Sequence, residues 1–352
     1  MLRLRRGVVL AAGDPRGPMQ RLEVRLGGDR RRALADVALV GAAHTGDEVV
    51  VNVAAVDLDL GSGGYDLVHV NLTRGLRGEG EPGAHVMKLN YTSLQHAVHP
   101  VEASAPAPDA PASRAAAAAA GRLPTAPVGV CFVHGQLAPL AWAFRRAAPG
   151  PRLGYVQTAG GALPGALSQV VRQLRELALL AGHLTAGPAY GGEGGATTTA
   201  GALQHGFAAL HGHAARCAPG PGILGSGTAL GHGGMVALDS AHTAAALGCR
   251  VVVAPRRSAA DPRPRHRGLS HHTRTMLELA LVPFVVATPD GRSAPGLGRH
   301  EWRRGAAELD AYAASGLPAR TMGRTLDEDP DFFAAALATP GSVLAAAARE
   351  VP

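Results

Sequence analysis

The sequence predicts two domains of different class. A small barrel- or sandwich-like β domain spans residues 1–102, and a Rossmann-like α/β domain with a mostly parallel sheet spans 128–352. Three observations carry this reading. The first hundred residues hold short β-branched runs punctuated by Gly and Asp. An Ala/Pro-rich segment, 103–127, then breaks the composition. From Val128 onward, apolar runs of strand length alternate with stretches of helical periodicity. A chain of 352 residues suits about two domains at roughly 150 residues each.

In order along the chain, Leu2–Ala11, Arg21–Leu26, Asp36–Val40, Glu48–Val56 and Asp66–Asn71 read as strands. Val49, Val50, Val51 and Val53 make the fourth strongly β-branched. The turn Gly61-Ser62-Gly63-Gly64 predicts that its flanking runs pair as a hairpin. Several short strands in about 100 residues suggest a small barrel or sandwich. Residues 103–127 read as a linker, although Ala115–Ala120 favours a short helix. In the second domain, strands are expected at Val128–Val133, Arg152–Gln157, His183–Ala186, Arg250–Ala254 and Phe284–Thr288. Helices are expected at Leu137–Ala147, Leu167–Leu180, Thr198 to about Ala215, Met235–Leu247 and His272–Ala280. Asp331–Leu337 and Val343–Arg349 also read as helical. Such alternation argues for a parallel sheet covered by helices.

Composition excludes several functions. The net charge is +7, and of 34 Lys+Arg residues only Lys88 is lysine. Lys88 sits in Val86-Met87-Lys88-Leu89, so the chain has neither a Gly-Lys-Ser/Thr phosphate loop nor the kinase set. Aromatic residues make up 4%, too few for extended base-stacking platforms. Cys131, Cys217 and Cys249 are widely spaced; with no CxxC pair, a structural zinc site of common spacing is not expected. The sparse, odd count suits a reducing compartment. The apolar run Gly7–Ala12 is too short for a signal-peptide core, and no long apolar stretch suggests a membrane span. A cytoplasmic protein is expected.

The glycines mark the candidate site. Thr158–Gly161 and Gly191–Gly195 follow expected strands, Pro219–Thr228 precedes the helix expected near Met235, and Pro255-Arg256-Arg257-Ser258 opens a long loop. In a parallel sheet such loops share the carboxyl edge, where ligands bind. Gly222, Gly225 and Gly227 would let backbone N–H groups approach an anion, with Ser226 and Thr228 adding hydroxyls. Gly220-Pro221-Gly222-Ile223-Leu224-Gly225 fits the letters of a dinucleotide fingerprint. The run before it, Ala214–Ala218, is a poor strand, so the fingerprint is not supported.

Within Asp261–Thr273, three arginines and three histidines meet one carboxylate. Arg263 and Arg267 suit bidentate anion binding. His266, His271 and His272 suit proton transfer or contact with the ligand. Asp261 would orient a histidine, and Ser270 would cap the following helix. The competing reading is a solvated basic loop. A metal is not expected. His211-Gly212-His213 lacks the accompanying Asp of metallohydrolases, and His271 and His272, adjacent on a helix, should diverge by about 100°.

The segments Gly46–Asn52, Gly61–Tyr65, His85–Thr92, Gly220–Thr228 and Asp261–Thr273 carry a resemblance. The chain resembles the bacterial domain-of-unknown-function 3866 family along nearly its whole length. The resemblance implies a cytoplasmic protein of unknown activity. It also implies departures: the family pattern usually has acids where this chain has Ala159 and near Ala196. It has a more acidic helix start than His232-Gly233-Gly234-Met235, and a more apolar strand than Ala214–Ala218.

Three function classes remain. The leading one is an anionic, phosphate-bearing small molecule bound at the sheet's carboxyl edge, with phosphate-ester or nucleotide chemistry if the protein is an enzyme. In that class Asp261, His266 and His271 would be catalytic. The second is a non-catalytic nucleotide sensor. The third is a nucleic-acid binder using Arg3, Arg5, Arg30, Arg31 and Arg32 on the N-terminal domain. Lys88 and Tyr91 form a further candidate pair. The sequence names no cofactor and leaves a homo-oligomer open.

Overall fold

A computed structural model describes residues 2–15, 18–60, 63–104, 127–161, 164–208 and 213–338. The chain divides into two units, Met1–His99 and Pro100–Pro352. Most of the Ala/Pro-rich segment, the tip of the Gly61–Gly64 turn and the expected helix Val343–Arg349 lie outside the described residues.

The first unit contains a closed five-stranded barrel. Its strands are β1 (Leu4–Ala12), β2 (Met19–Leu26), β3 (Asp29–Asp36), β4 (Glu48–Asn52) and β5 (Asp66–Asn71), in the order β1-β2-β3-β5-β4. β4 pairs with β1, so β4-β1-β2-β3 is a Greek key, which β5 closes by pairing parallel with β3. Period-2 alternation fills the interior with Val9, Leu22, Val24, Leu26, Ala33, Ala35, Val49, Val51 and Val68. The expected pairing across the Gly61–Gly64 turn is present as β4 against β5.

One segment differs from expectation. Asp36–Val40 is not a strand: Val37–Val40 is a single helical turn whose first turn is capped by the Asp36 carboxylate, which accepts from the Ala38 N–H at 3.2 Å. The third strand is instead the arginine-rich Asp29–Asp36, whose charged side chains face outward while Ala33 and Ala35 face in. A short hairpin, β6 (Val86–Lys88) with β7 (His96–Val98), completes the unit. Lys88 is buried, while Tyr91 is fully exposed.

The second unit is an eight-stranded, all-parallel sheet. Its strands are β8 (Pro127–Val130), β9 (Leu153–Thr158), β10 (Gly182–Ala186), β11 (Gly194–Ala196), β12 (Ala214–Pro219), β13 (Arg250–Val253), β16 (Val285–Thr288) and β17 (Glu301–Arg304). Between β13 and β16 lies a small antiparallel pair, β14 (Arg257–Ser258) and β15 (Gly268–Leu269). The order is β11-β10-β9-β12-β8-β13-β16-β17.

From β8 the chain moves outward through β9 and β10 to β11. It then returns to insert β12 between β9 and β8, and runs to the other edge. Connections leaving β9 and β12 therefore diverge, which opens a crevice at their carboxyl ends. One face carries helices Leu137–Ala147, Gln169–Glu176 and Pro330–Ala338; the other carries Thr199–Ala208, Val236–Ala246 and His271–Leu279. No helix among the described residues is long and apolar enough to cross a membrane.

The helix expected from Thr198 to about Ala215 is described over Thr199–Ala208 and has given way to a strand by Ala214. Ala214–Pro219, too alanine-rich to read as a strand, is instead a fully buried strand flanked by β8 and β9. Small residues suit a site covered by helices on both faces.

Candidate functional site: a basic histidine cluster at the carboxyl edge

Three of the loops singled out by their glycines and arginines converge. The loop after β9 crosses the loop after β12 at backbone contact. A Cβ on Gly160 would lie 2.5 Å from the Gly233 carbonyl oxygen, and one on Gly161 would lie 2.4 Å from that of Gly220. Only glycine permits this approach. Gly161 also bridges Ile223, and Gly225 bridges His232. The loop after β13 then folds over: a Cβ on Gly227 would lie 3.9 Å from an Arg265 guanidinium nitrogen. The Gly191–Gly195 loop goes elsewhere, packing on Gly165 and Ala166 and leading into edge strand β11.

The loop Gly222–Thr228 is preceded by a real strand, unlike the expectation, but the next helical turn begins only at Gly233. Its hydroxyls serve the loop itself. Ser226 Oγ donates to the Gly231 carbonyl at 3.0 Å, and Thr228 Oγ1 accepts from the Gly231 N–H at 3.0 Å.

The stretch Asp261–Thr273 is organised around Asp261, which is fully buried. Arg263 donates to both of its oxygens at 2.9 Å, and Arg324 and Arg256 reach it at 3.3 and 3.4 Å. Burial would raise this carboxyl's pKa, but the Arg263 bonds dominate and hold it far below the usual range. Arg267 Nε donates to the Asp261 backbone carbonyl at 3.0 Å. Arg263 and Arg267, expected to clamp a ligand, thus brace the loop. Asp261 braces arginines rather than a histidine. Arg265, by contrast, is exposed and makes no hydrogen bond or ion pair among the described residues.

Ser270 is the helix cap, accepting from the His272 N–H at 3.3 Å. Its hydroxyl also meets His266 Nδ1 at 2.8 Å. Because that oxygen already accepts a backbone N–H, donation to His266 satisfies both partners.

The adjacent His271 and His272 do not diverge as expected. Their ring centres lie 4.4 Å apart, because imidazoles on the first turn of a helix are long enough to fold back together. They are joined by His232, which in the sequence marks only a helix start. His232 stacks on His272 at 3.7 Å and meets His271 edge-on at 5.2 Å. One ring nitrogen from each of the three lies within 4.8 Å of the others. Neither His232 nitrogen makes a hydrogen bond of normal geometry among the described residues, nor does His271 Nε2. His272 Nδ1 faces Arg256 Nη1 at 3.2 Å.

All four histidines are held neutral near pH 7. Burial lowers His266 to about 3, with Arg256 and Arg263 adding to the fall. Burial and the neighbouring His232 lower His272 to about 2. Burial, then Arg265 and Arg256, lower His271. Burial and His271 lower His232, against the Ala229 carbonyl. The site therefore combines uncharged imidazoles with a surplus of guanidinium charge. Five arginines (Arg256, Arg263, Arg265, Arg267 and Arg324) surround two carboxylates, Asp261 and Asp329.

Fold and site together define a two-unit α/β protein: a Greek-key barrel, and a parallel sheet whose switch point carries an arginine-rich histidine cluster. The chain belongs to the family described as protein of unknown function DUF3866, whose model matches residues 32–340. No curated protein and no solved structure matches it. Ala196 is buried in β11, and Ala159 follows β9 at the crossing with the β12 loop.

Proposed function

We propose that the α/β unit binds a phosphate-bearing small molecule between the Gly222–His232 loop and the Arg256–His272 stretch. The supporting observation is the uncommitted guanidinium of Arg265, poised over Gly227. It stands among neutral imidazoles where positive charge exceeds negative. Guanidinium recognises phosphate with directed donors, and a mobile anion would neutralise the surplus. Arg256, Arg263, Arg267 and Arg324 hold the walls.

The test is a thermal-shift screen of the full chain against nucleotides and sugar phosphates. A ligand at about 100 times its dissociation constant stabilises by about 2.7 kcal/mol. The expected result is a phosphate-dependent shift that Arg265→Ala weakens at least tenfold in affinity. No shift with any phosphate compound, or full retention in Arg265→Ala, overturns the reading.

A second reading, phosphate-ester turnover, is favoured by His271, whose Nε2 is buried and has no hydrogen-bond partner among the described residues, and whose ring is held neutral. A neutral imidazole accepts a proton at physiological pH. His271→Ala is then expected to abolish turnover of a bound ester while leaving its melting temperature within a few degrees of wild type.

A further inference from the structure

The histidine triad has a property that anion binding does not use. Three neutral imidazoles bring ring nitrogens within 4.8 Å of one another, and two of them carry buried nitrogens with no partner among the described residues. His232 is only 7% exposed. An orphaned buried polar atom carries a desolvation cost that nothing repays, and leaving several in one cluster calls for a common partner. The lone pairs of neutral imidazoles are metal ligands.

We propose that His232, His271 and His272 form a binding site for a divalent transition metal of the zinc class. No carboxylate joins the three, and an all-imidazole set selects zinc, cobalt, nickel or copper over magnesium or calcium. Three histidines leave the fourth tetrahedral position open, the pattern of a reactive rather than a structural site. Bonds of about 2.0–2.1 Å in a tetrahedron place the nitrogens roughly 3.3 Å apart. The triad therefore closes by about 1.5 Å when it loads. Gly234 faces the triad: a Cβ there would lie 3.0 Å from His232 Nδ1 and 3.3 Å from His272 Nδ1.

The arginines set a condition on this site. Arg256 donates to His272 Nδ1, which fixes the hydrogen of that ring on Nε2. To ligate, His272 either releases that proton or gives up Arg256, whose other arm is already on Asp261. A dication among guanidinium groups is unfavourable until an anion takes the open position. Here the inference rests on the proposed function: metal and phosphate should bind with positive coupling, each tightening the other by the same factor. Such a pair would place a metal-bound oxygen and Arg265 on one phosphate group.

The experiment uses chelator-stripped full-length protein titrated with Co2+ and Zn2+, first alone and then with inorganic phosphate. The expected result is one metal per chain with the visible absorption of tetrahedral cobalt. Affinity should fall at least a hundredfold in His232→Ala and in His271→Ala, but stay unchanged in His44→Ala, an exposed barrel position. Phosphate should tighten the metal about tenfold, and Arg265→Ala should remove that coupling while leaving binding of the metal alone intact.

Absence of stoichiometric metal in the wild type, or equal affinity in His232→Ala, overturns the metal site. In that case water fills the triad. If a histidine variant does not fold, the wild-type cobalt spectrum decides, since a purely octahedral, oxygen-type spectrum excludes the triad. Phosphate binding without metal leaves the proposed function standing and the metal site refuted. Metal binding that phosphate does not alter, in protein that binds no phosphate compound, does the reverse.

Discussion

At the scale of single residues, the structure separates charges that are satisfied from one that is not. Asp261 holds three guanidinium groups from complete burial. Removing one partner of a buried ionic network costs about 3–5 kcal/mol, since the remaining charges stay desolvated. Asp261→Asn is expected to destabilise the protein by that amount in urea titration, and a loss below about 1 kcal/mol would show that water takes over the arginines. Arg216 is the opposite case. It lies at the middle of β12, fully buried beside the Cys131 thiol, and its guanidinium has no carboxylate partner among the described residues. It adds to the fall of the His134 pKa to about 3, behind burial itself. A buried charge with no paired carboxylate is held at a desolvation cost that an apolar side chain of similar length does not carry. Arg216→Met is therefore expected to raise the melting temperature and to move His134 upward in an NMR titration. A lower melting temperature would show that the guanidinium has a counter-charge that the variant leaves unpaired.

At the scale of elements, the site depends on two loops crossing with no side chain between them. Gly160 has φ +90°, and Cβ atoms at Gly160 and Gly233 would lie 2.5 and 2.1 Å from the opposing carbonyl oxygens. Gly160→Ala is expected to cost about 1–3 kcal/mol and, by pushing the His232 loop aside, to weaken ligand binding. Gly227→Ala differs: its φ of +82° is strained for alanine, but a Cβ there meets nothing closer than 3.9 Å. It should cost about 1 kcal/mol and leave His232 in place. Equal effects of the two variants on binding, measured by thermal shift, would show that the crossing does not position the cluster.

The same loops show what the sequence makes legible. Glycine clusters flag the crevice because close backbone approach has a residue-level signature. Leu137–Ala147 is read to the residue because its apolar face repeats at helical spacing. Strand β12 is missed because alanine carries no β signal, and β17, Glu-Trp-Arg-Arg, because an edge strand need not be apolar. Strand β3 is missed because its outward arginines mask the alternation of Ala33 and Ala35. His232 is missed because nothing local links it to residues some forty positions on; only the insertion of β12 beside β8 brings its loop against the β13 loop. A basic run shows which groups can bind an anion, but not that Arg263 also bonds the Asp261 carboxylate and Arg267 the Asp261 backbone carbonyl.

At the scale of the molecule, the α/β unit buries several imidazoles, and this couples its stability to pH. His134 and His266 are lowered to about 3, His183 to about 4 and His272 to about 2, in each case chiefly by burial. In the unfolded chain each returns to about 6.5. Between those values the unfolded state binds more protons than the folded one, so stability rises with pH across that window. The contribution is complete above about pH 6.5 and is lost progressively as the pH falls toward 4 and below. One such group gives a slope of up to about 1.4 kcal/mol per pH unit; two or more acting together give on the order of 3 kcal/mol per unit. Urea midpoints are therefore expected to fall steeply between pH 6 and pH 4.5, above the range where Asp261 takes up its proton. His272→Gln, which keeps a polar group but cannot charge, should flatten the slope by about one proton. Stability independent of pH across this range would show that the imidazoles are hydrated in the folded protein. Zinc offers an independent check on the same groups. A metal displaces protons only where those nitrogens carry them. Because burial holds His232, His271 and His272 below their ordinary values, saturating zinc should raise the midpoint by a similar amount at pH 7 and at pH 5, and a much smaller rise at pH 5 would show that the imidazoles take up protons in the folded protein.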